Sequence, residues 1–388
     1  MHIHHGLHPQ ADPWAAHCRD FCMRLDIPFQ MLRVDVERNS GQGLEAAARE
    51  ARYHAFQQVL SADEVLVTAH HQDDQAETFL LRALRASGPD GLAAMQPWRR
   101  FASGWHWRPL LQTSRAALLA HAQHHGLHWI EDPSNASAEH DRNFLRLHVI
   151  PLLRERWPHV DAAFARSAEL SAEARDLLID GDIESLASVR TEDPRTLSLD
   201  ALMPLPAPRR ARVLRHWIRE VGLPPLPAEG VRRIEEELLL ARNDADATFE
   251  WEGTVIRRWR NLLHAGPLPR PWPPGWQTPW DGQTPLPLPV GGQLILEGAA
   301  ALPESVIVHT RHGGERITLP GRTHSHELKK ILQERDIPVW TRERMPLMST
   351  AGGELMAAGS TILSARFDAW LKQQGATLVW QMDDPWAP

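Results

Sequence analysis

The sequence predicts an α/β protein with a doubly wound parallel sheet at its N-terminus, a helical middle region and a small α+β domain at its C-terminus. Three observations predict it. Short apolar runs alternate with longer helical stretches over residues 1–160, and such alternation implies parallel strands covered by helices on both faces. Helical spacing then dominates the middle of the chain. Beyond nine prolines that fall between Pro267 and Pro289, strand-like runs return around one amphipathic helix. The expected domains are a catalytic-type domain over 1–160, a mainly helical domain over 161–264, a proline-rich linker over 265–292 and a C-terminal domain over 293–388.

Met1–His5 reads as a short strand, Asp12–Leu25 as a helix and Phe29–Val34 as the next strand. Leu44–Leu60 is an alanine-rich helix behind a loop that holds Gly41 and Gly43. Glu64–Ala69 (EVLVTA) is an apolar strand, expected to be buried, and Gln75–Arg85 is the helix after it. In this architecture ligands collect at the carboxyl ends of strands. Arg85–Met95 contains two glycines and a proline and reads as a loop. Ser114–His124 is a helix with Ser114 as its N-cap. Phe144–Arg156, Ala162–Leu178, Arg209–Val221 and Glu229–Arg242 keep helical spacing, and Thr248–Leu263 alternates like a hairpin. The prolines of 265–292 argue against regular structure there. Ser305–Thr310 is strand-like, His326–Arg335 helical and Ala376–Gln381 strand-like.

Hydrophobic residues make up 43% of the 388 and charged residues 23%, which supplies real cores and excludes a disordered or fibrous chain. Two cysteines, Cys18 and Cys22, exclude a disulfide scaffold and a four-cysteine zinc site within the chain. Four apart on a helix, they read as small packed residues. No apolar run is long enough for a membrane span, and MHIHHGLHPQ has neither the basic nor the apolar part of a signal peptide, so a cytoplasmic location is expected. The net charge of −7 argues against a basic protein but leaves room for a basic face.

Three clusters carry chemistry. In AHHQDDQAET (Ala69–Thr78), His70, His71, Asp73, Asp74 and Glu77 crowd the point where a strand ends and a helix begins. Asp74 and Glu77, three apart, share a helical face. Carboxylates at a helix N-terminus are electrostatically favoured, and a pair can hold an ammonium group or Mg2+. In EDPSNASAEHDRNFLRLH, which begins at Glu131, Asp132 and Asn135 belong to a turn, while Arg142 and Arg146 lie four apart on a helix. Paired arginines suit phosphates; a salt-bridged face with Glu139 and Asp141 fits the spacing equally well. Between His312 and Pro346, Arg316, Arg322, Lys329, Lys330, Arg342 and Arg344 interleave with Trp340, as on a nucleic-acid surface, but Glu315, Glu327, Glu334 and Glu343 offset them.

These clusters stand in the order found in the bacterial tRNA(Ile)-lysidine synthetases of the PP-loop ATP pyrophosphatase superfamily, which the chain resembles. The resemblance runs through HIHHGLHPQAD, GLEAAAREARYHAF, TAHHQDDQAETFLLRALRASGPDGLAAM, RPLL and EDPSNAS...RNFLR. It resumes in RHGGERITLPGRTHSHELKKILQERDIPVWTRERMPL (Arg311–Leu347) and is weaker between. It implies ATP-dependent ligation of free L-lysine to the wobble cytidine of a tRNA(Ile) with a CAU anticodon, with ATP and Mg2+ as cofactors, no membrane partner and a homodimer among the assemblies it allows. Asp74, Glu77 and His70 match the catalytic positions, with His70 at the rim. Arg142 matches a position near the ATP phosphates, and Asp132, Asn135 and Arg146 are candidates for shaping that pocket. Arg85, Arg316, Lys329, Lys330, Arg342 and Arg344 are the candidates for holding tRNA. The metal ligands are not implied.

One departure stands out. The family's SGGxDS loop, which follows its first and central strand, has no counterpart in the chain, which begins at what resembles the second strand. Were these residues the whole protein, it would be expected not to bind ATP productively. Two other readings compete: a tRNA-binding remnant without catalysis, and a metal hydrolase built on His2, His4, His5, His70, His71 and Asp74.

Overall fold

The computed structural model describes residues 1–37, 43–241 and 247–382 and divides into two compact units, 1–180 and 181–388. Gly41 and Arg242, named above, lie outside the described residues.

The first unit opens with β1 (His2–His4), α1 (Ala11–Arg24), β2 (Met31–Arg33), α2 (Leu44–Val59), β3 (Val65–Val67) and α3 (Gln72–Ala83). One helical turn, α4 (Pro89–Leu92), interrupts the expected loop, followed by β4 (Trp98–Phe101), β5 (Gly104–Trp107) and α5 (Arg115–His124). Ser114 caps α5 as expected, its hydroxyl accepting the Ala117 amide at 3.2 Å. A 3-10 turn over Pro133–Ala136 leads to α6 (Asp141–Phe144), a π-helical turn over Leu145–Val149, α7 (Ile150–Arg156) and α8 (Val160–Val189), in which the division between units falls.

Parallel pairing occurs twice, between β1 and β2 and between β3 and β5; β4 adds to β5 in antiparallel fashion. The two sheets are not hydrogen-bonded to each other. This corrects the expectation of a buried EVLVTA strand: Val65 is 42% and Val67 53% exposed. The strand is apolar enough for a core, but β5 is its one strand neighbour among the described residues. Cys18 and Cys22 are free thiols on α1.

In the second unit, β6 (Thr196–Ser198), α9 (Leu199–Leu202), α10 (Ala207–Glu220) and α11 (Ala228–Arg233) precede a second π-turn, Ile234–Leu238. β7 (Thr248–Trp251), β8 (Thr254–Trp259) and β9 (Leu262–Pro267) join β6 in an antiparallel sheet of order β6-β9-β8-β7. The middle of the chain is therefore helical with a sheet. α10 buries Val213, Leu214, Trp217 and Ile218 in a core shared with Ile256 and Leu263 of that sheet. Fully burying side chains of this size contributes about 1.5–3 kcal/mol each.

The remainder comprises β10 (Gln277–Trp280), β11 (Leu286–Pro287), β12 (Gln293–Glu297), β13 (Val306–His309), β14 (Arg316–Ile317), β15 (His326–Glu327), α12 (Leu328–Glu334), α13 (Val339–Arg344), β16 (Leu347–Thr350), β17 (Leu355–Ala358), β18 (Ile362–Leu363), α14 (Ala365–Gln374) and β19 (Thr377–Gln381). Sheets of order β10-β13-β16-β17-β18 and β11-β12-β19 enclose a core that includes Trp280, Val306, Val308 and Phe367. Residues 265–292, expected to lack regular structure, thus supply the end of β9 and all of β10 and β11. Pro279 and Pro287 are tolerated because β10 and β11 are edge strands, where a missing N–H costs no ladder bond on the open side. No helix among the described residues is long and apolar enough to cross a membrane.

Candidate active site

The AHHQDDQAET cluster sits where β3 gives way to α3. His71 is the N-cap of α3 and forms a capping box with Asp74: the Asp74 carboxylate accepts the His71 amide at 3.0 Å, and His71 Nδ1 accepts the Asp74 amide at 3.4 Å. Asp74 and Glu77 then fall one turn apart on the same face. That face is met by the two arginines of the second cluster, more than sixty residues along the chain. Arg142 Nε donates to Glu77 Oε2 at 2.7 Å, and its Nη2 reaches Asp74 Oδ1 at 3.3 Å. Arg146 donates through Nε to Glu77 Oε1 at 2.7 Å and through Nη2 to Glu77 Oε2 at 2.9 Å, with Asp74 Oδ1 at 3.4 Å.

This resolves the alternatives left open by the spacing of Arg142 and Arg146. They face the acidic pair of α3; Asp141 lies instead 3.9 Å from Arg85 on an exposed surface. The π-turn over Leu145–Val149 follows directly on α6, so the wide turn begins between the two arginines.

The electrostatics follow from burial. The Glu77 side chain is 1% exposed, that of Asp74 15%, and those of Arg142 and Arg146 25% each. A carboxylate as covered as Glu77 is tolerable because guanidinium N–H groups satisfy both oxygens. Glu77 in turn raises the Arg146 pKa above its ordinary value, chiefly through their hydrogen bonds. Each guanidinium has five N–H groups in a fixed fork. Nη1 of Arg142 and of Arg146 makes no hydrogen bond among the described residues. The network is charge-neutral, and both arginine side chains stay 25% exposed.

Behind it lies a polar relay. Thr68 Oγ1 is 2.7 Å from His70 Nδ1 and 2.8 Å from His106 Nε2. His106 is fully buried, and its Nδ1 lies 3.2 Å from Arg108 Nη2 and 3.3 Å from Arg99 Nε. Burial, with the positive charges of Arg108, Arg142 and Arg49, pushes His70 down to about 4 against the opposing pull of Asp74. Burial, Arg108 and Arg99 push His106 down to about 3. Both rings are therefore neutral at pH 7. His70 can position a group by hydrogen bonding but is a weak proton acceptor there.

A pH dependence follows. An unfolded histidine titrates near 6.5, so between about pH 6.5 and 4 the unfolded chain binds more protons than the folded one. Stability held above pH 6.5 is therefore expected to fall as pH drops toward 4. Urea midpoints measured across that range check it, and His106→Gln should flatten the fall.

Asp132 and Asn135 are not brought to this network. Asp132 caps the 3-10 turn, its Oδ1 accepting the Ser134 amide at 2.9 Å, and Asn135 is exposed. The neighbouring Asn143, which the sequence reading passed over, ties that turn to α6 by donating to Ser134 O at 3.0 Å and Ser137 O at 2.9 Å. Arg154 was passed over too; it donates to Asp73 at 2.7 Å and to Asp161 at 2.6 Å, which leaves Asp73 bracing α7. His106 sits in a WHW run and carries no motif of its own. Its partner becomes visible only once β3 and β5 pair with Leu66 opposite His106.

The six candidate tRNA residues differ in their neighbours. Arg316 and Lys330 both lie near Glu327, at 3.8 and 3.6 Å, and Arg344 donates to Val290 O at 3.2 Å. Lys329 and Arg342 line a common cleft, and Arg85 belongs to the other unit. Among the described residues no group of three His, Cys, Asp or Glu side chains is placed to hold a metal ion. Of the histidines proposed for a metal hydrolase, His4 lies against Asp12 at 3.1 Å and His71 against Asp74 at 3.5 Å.

Comparison with known proteins is consistent along the chain. Residues 1–153 match a PP-loop domain, 197–264 a TilS substrate binding domain and 306–380 a TilS substrate C-terminal domain. A tRNA(Ile)-lysidine synthase of Xanthomonas axonopodis pv. citri is 52% identical over 98% of this chain and 87% of its own length. The enzyme of that name from Xylella fastidiosa strain 9a5c is 52% identical over 98% of this chain and 88% of its own. That from Methylococcus capsulatus is 39% identical over 95% and 86%.

Proposed function

Because this chain belongs to the tRNA(Ile)-lysidine synthase family, we propose that it joins free L-lysine to C2 of the wobble cytidine of a tRNA(Ile) with a CAU anticodon. O2 of the cytosine attacks the α-phosphorus of ATP, and pyrophosphate leaves. The lysine ε-amine then attacks C2: an N–C bond forms, the C2–O bond to AMP breaks, and the amine gives up a proton. The observation that carries the reading at residue level is the convergence of Asp74 and Glu77 with Arg142 and Arg146 in one network.

The roles follow from chemistry. Asp74 is the more accessible carboxylate, so it recognises the lysine ammonium and orients the amine once it is deprotonated. Glu77 supports the same recognition and holds both guanidinium groups in register. Nη1 of Arg142 and of Arg146 offers fixed positive charge for the phosphates, where negative charge develops as pyrophosphate departs. His70, neutral and held by Thr68, lines the rim as a hydrogen-bonding group. Asp132 and Asn135 shape the pocket only through the turn they form. Mg2+ would arrive with the nucleotide phosphates, as that ion commonly does. Asp73, Asp74 and Glu77 each also face a guanidinium, and no step above is routed through the metal. We retain 1–160 as the catalytic domain, 161–264 as the middle domain and 293–388 as the tRNA-holding domain.

The test is ATP-dependent incorporation of radiolabelled lysine into an unmodified tRNA(Ile) transcript with a CAU anticodon. Incorporation with equimolar release of AMP and pyrophosphate is expected. Retained tRNA binding without incorporation would favour the remnant reading instead.

A further inference from the structure

We propose that Thr68, His106 and Arg108 are positioning residues that fix the ring proton of His70 on Nε2, so that His70 meets the substrates as a hydrogen-bond donor and not as a base. What His70 meets rests on the lysine-ligation reading above; the direction of the hydrogen-bond chain does not.

The direction follows from the buried end of the chain. His106 Nδ1 lies 3.3 Å from Arg99 Nε and 3.2 Å from Arg108 Nη2. A guanidinium carries only donors and stays protonated in proteins. His106 Nδ1 is therefore the bare, accepting nitrogen. Burial and these cations keep the ring neutral at pH 7, and a neutral imidazole holds its one proton on the other nitrogen. His106 Nε2–H then donates to Thr68 Oγ1 at 2.8 Å. Thr68 has a single O–H, and it is spent on the remaining neighbour, His70 Nδ1, at 2.7 Å. His70 Nδ1 is thus an acceptor as well. This ring is also neutral, so its proton sits on Nε2. Each step allows one arrangement, because two donors cannot share a bond and neither can two acceptors.

The chain is held at both ends of its buried part. Arg108 is 4% exposed, and its Nη1 donates to Gln96 O at 2.7 Å. The Thr68 amide donates to Trp107 O at 3.1 Å, which extends the β3–β5 pairing and sets the hydroxyl beside His106. At the outer end, the hydrogen bond of His70 is at Nδ1, and Nε2 makes none among the described residues. The polarity is the reverse of a catalytic base. A carboxylate behind a histidine takes the Nδ1 proton and leaves Nε2 bare to accept another. Here two arginines drive the protons outward, so Nε2 arrives at the site already protonated. It cannot take the proton that the lysine amine gives up. It can donate to an anionic oxygen of the adenylated cytidine. Asp74 and Arg142 are near enough to act on the His70 ring by charge, so this donor belongs with the acidic and basic groups of α3 and α6.

The experiment uses the full chain with nitrogen-15 in its histidines. Long-range nitrogen–proton correlation spectra at pH 7 separate protonated from bare ring nitrogens. The His70 and His106 signals are identified by their loss in His70→Gln and His106→Gln. Both rings are expected to show a bare Nδ1 and a protonated Nε2. Thr68→Val keeps the shape of the side chain and removes the hydroxyl. It should turn His70 into a mixture of the two tautomers and slow single-turnover pyrophosphate release about tenfold, less than the hundredfold or more lost when a preorganised donor is removed outright. Thr68→Ser should restore both the tautomer and the rate, which a side chain needed only for packing would not do. A protonated Nδ1 on His70 in the wild type, or Thr68→Val turning over at the wild-type rate, would overturn the proposal. The wild-type spectrum decides even where Thr68→Val does not fold. It needs neither lysine, ATP nor tRNA. Absence of lysine ligation with His70 protonated on Nε2 would therefore remove the reaction proposed above and leave the chain standing, whereas ligation with His70 protonated on Nδ1 would do the opposite.

Discussion

Glu77→Ala is expected to lose lysidine formation altogether and to destabilise the first unit by about 3 kcal/mol, the lower end of the cost of breaking a buried ion pair by removing one partner. The lower end applies because Arg142 and Arg146 keep a quarter of their side-chain surface in water. The carboxylate satisfies three strong guanidinium hydrogen bonds, at 2.7, 2.7 and 2.9 Å. Without it two cations face each other across a partly desolvated gap, their N–H groups lose direction, and the Asp74 carboxylate is left to serve both. Glu77→Gln separates structure from function. It keeps the shape and one acceptor but removes the charge, so it should cost less stability than Ala while still lowering activity. Urea midpoints and lysine incorporation, measured on the same preparations, check this. Wild-type activity in Glu77→Gln would show that the charge at this position is not used.

The second large effect is at Arg142. Arg142→Ala should slow pyrophosphate release by about a hundredfold or more, the range seen when one preorganised donor to developing charge is removed. Stability should suffer less than in Glu77→Ala, because Arg146 still binds both Glu77 oxygens. Arg142→Lys should not rescue fully, since a point charge cannot reproduce a fork that spans Glu77 and Asp74 while leaving Nη1 free. Single-turnover measurement of pyrophosphate release, with tRNA binding measured separately, distinguishes the loss of a catalytic donor from loss of the substrate. A double-mutant cycle between Arg142 and Glu77 should show strong coupling, because the two are in direct contact. Additive effects would instead place the two in separate roles.

Much of the fold could be read because its causes are local. α1, α2, α3 and α5 follow from spacing within one or two turns and from caps such as Ser114, whose hydroxyl meets an amide three residues away. The strands β1, β2, β13 and β19 follow from short apolar runs at the expected positions. The candidate acids could be read for the same reason: Asp74 and Glu77 share a face by helical period alone. What reading by composition missed is also instructive. Nine prolines in 265–292 spoke against regular structure, yet Pro279 and Pro287 lie in strands. A proline excludes only the ladder bond its own nitrogen would make, and whether a strand lies at an edge is not written in that strand.

The sequence by itself determined the family, through motif order, and which side chains could carry charge at the end of β3. Only the tertiary structure decided what those side chains meet. Arg142 and Arg146 could have faced Glu139 and Asp141; packing of α6 and the π-turn against α3 sets them on Asp74 and Glu77 instead. His106 became part of the site because β5 pairs beside β3, and Val65 and Val67 stayed exposed because burial depends on neighbours and not on a residue's own hydrophobicity. Local structure depends on interactions over a few residues, which a sequence displays. Ion-pair geometry, burial and the pKa shifts of His70 and His106 depend on groups that are distant in the chain, and folding alone brings these together.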